Sequence, residues 1–258
     1  MHEPPVDLPD DTLDAGLRAH YGLAVTALTF LPLGQDSSAW VYRVRTADDA
    51  SYFLKVRTSV TNAPSLLAPR YLHDHADARD AHIGGRTFAD PAAQNLAAMW
   101  HERRDIIHTL VARAEELGRQ LAHRAPPCVL CHADIHTNNV LLDADGAVWI
   151  VDWDDTVFAP KERDLMFVVG GGINRMLVGP REEELFLQGY GATTMDPLAL
   201  TYYRYAWAVS DIGEYGAQVV LRPDLGVVSR RAAVDHFLSL FQPGRIVALA
   251  LASDEGAA

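Results

Sequence analysis

Residues 131–139 read CHADIHTNN, and residues 140–154 continue LLDADGAVWIVDWDD. Leu141-Leu142 forms an apolar pair, Asp143-Ala144-Asp145-Gly146 is a turn sequence, and Val148 to Val151 return as a second strand. A hairpin of that length carries Asp152, at its far end, back beside Asn139, at its near end, with Asp134 in the loop just before. Two carboxylates and a carboxamide then converge on one point. Hard oxygen ligands so grouped suit Mg²⁺, which binds through one or two carboxylates plus substrate phosphates. Phosphoryl transfer also needs an Asp that accepts the proton of the attacking hydroxyl. On this scheme Asn139 and Asp152 are metal ligands and Asp134 is the base. His132 supports the loop by hydrogen bonding, and His136 is either structural or a contact on the substrate side.

Upstream, DDTLDAGLRAHY at residues 10–21 reads as a helix, with Asp10 or Asp11 as N-cap and Gly22 as terminator. AVTALTFLPLG, AWVYRVRT and SYFLKVRT follow as an antiparallel meander, with the turn TADDA before the third strand and a tight loop, Gly34 to Ser38, between the first two. Lys55 stands in the third strand, either as an edge residue that snorkels or as a phosphate ligand. HADARDAHIGGRTFADPA is polar and irregular, a linker candidate. Leu96, Met99, Arg103, Ile106, Leu110, Ala114, Leu117 and Leu121 alternate by threes and fours, which predicts one long core-packing helix over 95–122. After Asp152 the pattern is helical, Pro243-Gly244 closes the last helix, and ASDEGAA is expected to fray.

The chain has 258 residues, 49% of them apolar, and a formal charge of −12. That charge argues against a nucleic-acid partner and is compatible with a small cationic one. Neither a secretory signal nor an apolar run of membrane-spanning length is visible, so a cytoplasmic protein is expected. Cys128 and Cys131 form a lone CxxC and read as buried strand cysteines.

His132-x-Asp134-x-His136-x-x-Asn139, with Ile150-Val151-Asp152-Trp153-Asp154 after it, resembles the signature of the aminoglycoside phosphotransferase and choline kinase-like family. The wording YFLK, PRYLHD, PKERDLMF and YYRYAW is most similar to spectinomycin phosphotransferases within it, and the resemblance covers nearly the whole chain apart from residues 75–94. It implies an α+β, protein-kinase-like two-lobed fold, with a reduced N-terminal β lobe over 1–94 that binds nucleotide. A mostly helical lobe over 95–258 is implied to carry catalysis and the acceptor. It also implies ATP and Mg²⁺ as cofactors. Gly34, Ser37 and Ser38 correspond to the nucleotide-covering loop, Lys55 to the strand lysine on the phosphates, and Arg163 and Asp164 to an R-D-L segment that supports the site. The helices after residue 185 are implied to close the acceptor pocket. Trp207, Asp211, Glu214 and Tyr215, at helical spacing, form either its acidic and aromatic wall or a core face with a solvated rim. Asp154 and its neighbour Asp155 serve either the substrate or the loop.

The interval between Asp74 and Asn95 is too short for two further strands, a hinge and a helix, which need about 30 residues. No Glu occurs between Lys55 and Glu102 to pair with the lysine. Two functions follow: an ATP-dependent O-phosphotransferase acting on a small hydroxylated, amine-bearing molecule such as an aminocyclitol or aminoglycoside antibiotic, or an impaired relative that binds a cationic small molecule without transfer. A protein kinase is disfavoured, because no APE-like segment follows Asp152. The sequence sets no oligomeric state.

Overall fold

A computed structural model describes residues 9–31, 39–57, 80, 83, 87–143, 145–171, 173, 178–222 and 225–255. The chain divides into two compact units, Met1–Asn62 and Ala63–Ala258.

In the first unit, helix α1 (Asp10–Tyr21) precedes the antiparallel strands β1 (Val25–Leu31), β2 (Ala39–Thr46) and β3 (Ser51–Arg57), in the order β1-β2-β3. The expected meander is present. Helix α1 starts one residue earlier than its acidic pair suggested: Pro9 is the N-cap, and Asp10 and Asp11 occupy the first turn, where they face the positive end of the helix dipole. Gly22, at φ +67°, ends it. Alternation along β2 buries Tyr42, Val44 and Thr46 and exposes Arg43 and Arg45. Phe30 meets Tyr42 edge-on across the β1–β2 ladder at 5.6 Å. Lys55 pairs with Val41 and so lies on the opposite face from Tyr42, half-buried. The loop carrying Gly34, Ser37 and Ser38 lies outside the described residues.

The second unit is mostly helical. Its long stripe is split, contrary to the single helix expected: α2 (Pro91–Glu102) and α3 (Arg104–Arg124) break at Arg103, which has φ −107° and ψ 7°. Both halves keep the stripe inward, with Leu96, Leu110 and Ala114 fully buried. At the break Arg103 lies over the Phe241 ring, 5.4 Å from its centroid. Asp90 caps α2 by accepting the Ala93 N–H at 2.9 Å, and it also pairs with Arg230 at 3.0 Å. The presumed linker is docked at its described positions. Asp80 accepts bonds from Trp100 Nε1 at 3.2 Å and from Arg104 Nη2 at 2.7 Å, and Ile83 is buried.

Short strands follow: β4 (Val129–Cys131), β5 (Val140–Leu142), β6 (Val148–Ile150) and β7 (Val157–Ala159). They pair as β4 with β7 and β5 with β6, both antiparallel. Then come α4 (Glu162–Leu165), α5 (Pro180–Tyr190), α6 (Pro197–Val220), α7 (Val227–Leu240) and α8 (Ile246–Glu255). The core forms where α6 packs on α3, α7 and α8, around Trp100, Leu110, Tyr202, Phe237 and Ile246. Gly216 permits the close approach of Trp100, since a Cβ there would sit 3.1 Å from Trp100 Cζ3. Pro243-Gly244 ends α7 but not the helical region. Helix α8 continues through Asp254, so most of the tail expected to fray is ordered. Of the two cysteines, Cys131 is buried and Cys128 exposed, which corrects the expectation for the latter. Burial pushes the Cys131 thiol up to about 11, unlike a redox thiolate.

Candidate active site

The base loop is built by main-chain constraints before any side chain is considered. It leaves β4 at Cys131, turns through Ala133 at φ +70°, and ends in a 3₁₀ turn at Thr137–Asn139 that leads into β5. A non-glycine residue in this region is strained by about 1–2 kcal/mol. Asp164, from α4, offsets the strain by accepting the His132 N–H at 2.8 Å and the Ala133 N–H at 2.7 Å, one on each carboxylate oxygen. His132 Nδ1 accepts the Asp134 N–H at 3.2 Å, which leaves Nε2 to donate to Val151 O at 2.8 Å. The ring is therefore the neutral Nε2–H tautomer. It ties the base loop to the end of β6, with Trp153 tilted beside it at 4.7 Å.

The hairpin expected from the sequence is present, with Val140 paired to Ile150 and Leu142 to Val148. Its far end is fastened by the Val151 N–H, which donates to Asn139 O at 3.0 Å. Asn139 and Asp152 are thus neighbours across the hairpin mouth. Asp152 has φ +67° and ψ +56°, a second strained position at the same mouth. Asn139 is buried, and its Nδ2 donates to Asp134 O at 2.8 Å and to Asp134 Oδ2 at 3.2 Å. That commits the amide nitrogen and turns Oδ1 away from the Asp134 carboxylate. His136 Nε2 approaches Asp134 Oδ1 at 3.6 Å.

Burial pushes the Asp134 carboxyl above its ordinary range. Asp155 and Asp152 raise it further, while His136 and Arg163 oppose the rise. A carboxylate displaced in this direction is a stronger base, as proton abstraction requires. Among the described residues no three His, Cys, Asp or Glu side chains gather as a closed metal cage. One carboxamide oxygen and one or two carboxylates instead match the open donor set of Mg²⁺, whose remaining positions go to phosphate oxygens and water.

Helix α6 brings the acceptor candidates to the same region. Trp207 lies edge-on to Phe167 at 5.0 Å, and Phe167 in turn meets the His136 ring at 6.4 Å. The Arg163 guanidinium lies over Trp207, 4.9 Å from its centroid. One turn along, Asp211 is pushed up to about 7, first by burial and then by the negative charge of Asp134. The Trp207 side chain hydrogen-bonds to it and opposes the rise, and Glu214 adds to it. Tyr215 is raised to about 12 by burial and by Asp211, Glu214 and Asp134, and its ring stacks on His236 of α7 at 5.3 Å. Glu214 is exposed. Asp154 falls in the 3₁₀ turn Trp153–Asp155, and its side chain lies outside the described residues.

Asp134, Asn139, Asp152, His132, His136, Arg163, Asp164, Trp207, Asp211 and Tyr215 therefore belong to one neighbourhood. Lys55 belongs to the other compact unit. Two participants escaped the sequence reading, Phe167 and His236. Phe167 lies three residues past Asp164 in RDLMF and was visible only as part of that wording. His236, on another helix, left no local signal.

The profile of the phosphotransferase enzyme family (APH) matches residues 70–201, just over half of the chain. The structure is similar to that of spectinomycin phosphotransferase APH(9)-Ia in complex with ADP and spectinomycin, with a TM-score of 0.73 and 23% identity over 95% of this chain and 98% of that one. The AMP-bound complex of the same enzyme gives a TM-score of 0.67 and 22% identity, over 94% of this chain and 98% of that one. An ethanolamine kinase from Plasmodium vivax gives 0.53 and 12% identity, over 94% of this chain and 86% of that one. The fold is the kinase-like α+β fold, with a small β lobe and a mostly helical one.

Proposed function

The chain belongs to the phosphotransferase enzyme family, and from that premise we propose that it transfers phosphate from ATP to a hydroxyl of a small, amine-bearing acceptor of the aminocyclitol or aminoglycoside kind. The observation that carries this reading is the convergence of Asp134, Asn139 and Asp152 at the hairpin mouth. Asp134 takes the proton of the attacking hydroxyl, and its raised affinity for protons suits it to that task. Asn139 Oδ1 and the Asp152 carboxylate are the groups that would hold Mg²⁺, which would neutralise charge on the phosphates. His132 and Asp164 keep the base loop in its strained form, His136 partners Asp134, and Arg163 braces α6. Residues 1–94 are assigned to the nucleotide, with Lys55, Gly34, Ser37 and Ser38 on its phosphates, and residues 95–258 to catalysis and the acceptor. Asp211, Glu214 and Asp154 supply negative charge for an ammonium group, and Trp207 and Tyr215 supply ring faces. ADP and spectinomycin in the APH(9)-Ia complex support this choice of donor and acceptor.

The test is ADP release from ATP and Mg²⁺ with a panel of aminocyclitols and aminoglycosides, spectinomycin among them. Acceptor-dependent turnover is expected, and Asp134→Asn should lower kcat by about 10²–10⁴-fold. A protein that binds these molecules yet releases no ADP is instead a binder, and the transfer reading fails.

A further inference from the structure

Arg163 is 6% exposed, one of the few charged side chains buried so deeply. Its guanidinium carbon lies 4.9 Å from the Trp207 centroid and 6.0 Å from that of Tyr203. Ring faces answer the positive charge through their quadrupoles, but they do nothing for N–H donors that project in the guanidinium plane. Among the described residues none accepts a hydrogen bond from that plane. Asp134, Asp155 and Asp164 act on it through their fields alone. Asp164, the nearest in sequence, has both oxygens committed to the base loop. Among the described residues the fully enclosed nitrogens without a partner include the Nε of Arg230 but none of Arg163, so its unpartnered N–H edge reaches open space, where a ligand can supply the missing acceptor.

Under the function proposed above, two groups come to the space beside Asp134: an ammonium-bearing acceptor and the phosphoryl group. A guanidinium repels the first. It suits the second, whose negatively charged oxygens match its planar fork. We propose that Arg163 is a catalytic residue that donates its N–H edge to a non-bridging oxygen of the transferring phosphoryl group, held in aim by Trp207. This rests on the phosphotransferase reading. In the step it serves, the acceptor oxygen forms a bond to the γ-phosphorus as its proton passes to Asp134. The bond from that phosphorus to the β,γ-bridging oxygen breaks, and the electron pair leaves with ADP. Arg163 keeps all its protons throughout. It stabilises charge on the equatorial oxygens and moves none itself.

Arg163→Met keeps the length and the apolar packing on Trp207, and Arg163→Lys keeps the charge without the fork. Two measurements bear on them: binding of inorganic phosphate to the unliganded full chain by ³¹P NMR, and binding of magnesium fluoride, a mimic of the group in flight, to the MgADP complex. The wild type is expected to bind both. In Arg163→Met, phosphate binding should be lost and the fluoride complex weakened by about 10²–10³-fold, the usual loss for one such donor, with MgADP affinity unchanged. In turnover, kcat should fall by a similar factor while the acceptor KM stays within about twofold, and Arg163→Lys should recover part of the loss. If Arg163→Met does not fold, the same comparison of Arg163→Lys with wild type decides. Equal anion affinity in the variants overturns the proposal, as does a raised acceptor KM with kcat intact. A wild type that binds neither phosphate nor the fluoride complex overturns it too, even with turnover present. Anion binding lost on substitution in a protein without turnover sustains Arg163 as a phosphoryl-oxygen site and removes only the transfer reading.

Discussion

Asp211 sits among groups that make its proton hard to remove. Burial comes first, Asp134 and Glu214 add negative charge, and Trp207 and Arg163 give back part of the loss. Its folded value of about 7 lies above the ordinary 3.8. Below about 4 both the folded and the unfolded chain hold this proton. Between about 4 and about 7 the unfolded chain releases it first, so the native state binds more protons and stability falls as pH rises. Above about 7 the difference levels off. Asp211→Asn removes the contribution, so the gap in Tm between variant and wild type should widen from about pH 5 to about pH 7.5, with the variant the more stable at the upper end. A gap that stays constant across that range would place the Asp211 proton at an ordinary carboxylate value. Ammonium binding beside this residue favours the ionised form, which is why a carboxyl poised near neutrality suits a cationic acceptor.

Helix α8 shows what a terminal element contributes when it is fastened rather than merely packed. Asp254 accepts from Arg113 Nε at 3.0 Å and Nη2 at 2.7 Å, and from the Tyr205 hydroxyl at 2.8 Å, so one carboxylate joins α8 to α3 and α6. One residue earlier, the Ser253 hydroxyl accepts from Arg204 Nη1 at 2.8 Å, and Arg204 Nη2 also donates to Val169 O at 2.6 Å. Asp254→Ala leaves the buried Tyr205 hydroxyl without its acceptor and Arg113 without its fork partner. A loss of about 1–3 kcal/mol is expected in urea unfolding. A change under a few tenths of a kcal/mol would mean that water replaces the carboxylate freely. None of this was legible in ASDEGAA, because polar residues after an apolar helix read as a frayed end unless their partners, about 50 and 140 positions away, are known. The hairpin around Asn139 and Asp152 was legible for the opposite reason. Its partners are 13 residues apart, and the turn chemistry of Asp143 to Gly146 sets the register by itself. The break at Arg103 was hidden by its own periodicity, since the inward stripe runs through it without losing phase.

At the scale of the whole chain, the helical unit carries the proposed base, the proposed metal donors and the carboxyl groups of α6, while the lysine expected on the phosphates belongs to the other compact unit. The kinase-like fold was readable from motif order, yet the docking of Asp80 and Ile83 was not. Their partners on α2 and α3 are set by the tertiary fold, so the interval looked like a linker. If the chain binds nucleotide as proposed, ligand linkage measures that binding without turnover. A nucleotide at 100 times its Kd stabilises the native state by about 2.7 kcal/mol. For a chain of this size that corresponds to a rise in Tm of roughly 5–10 °C. If Asn139 and Asp152 hold the metal that bridges protein and phosphates, the rise with ADP should be much larger when Mg²⁺ is present. In Asp152→Ala the Mg²⁺-dependent part should disappear, while any shift from ADP alone persists. A Tm indifferent to MgADP but raised by spectinomycin would identify a chain that binds the acceptor and lost the nucleotide. An Mg²⁺-dependent shift that survives Asp152→Ala would move the metal away from the hairpin mouth, and the role of Asn139 with it.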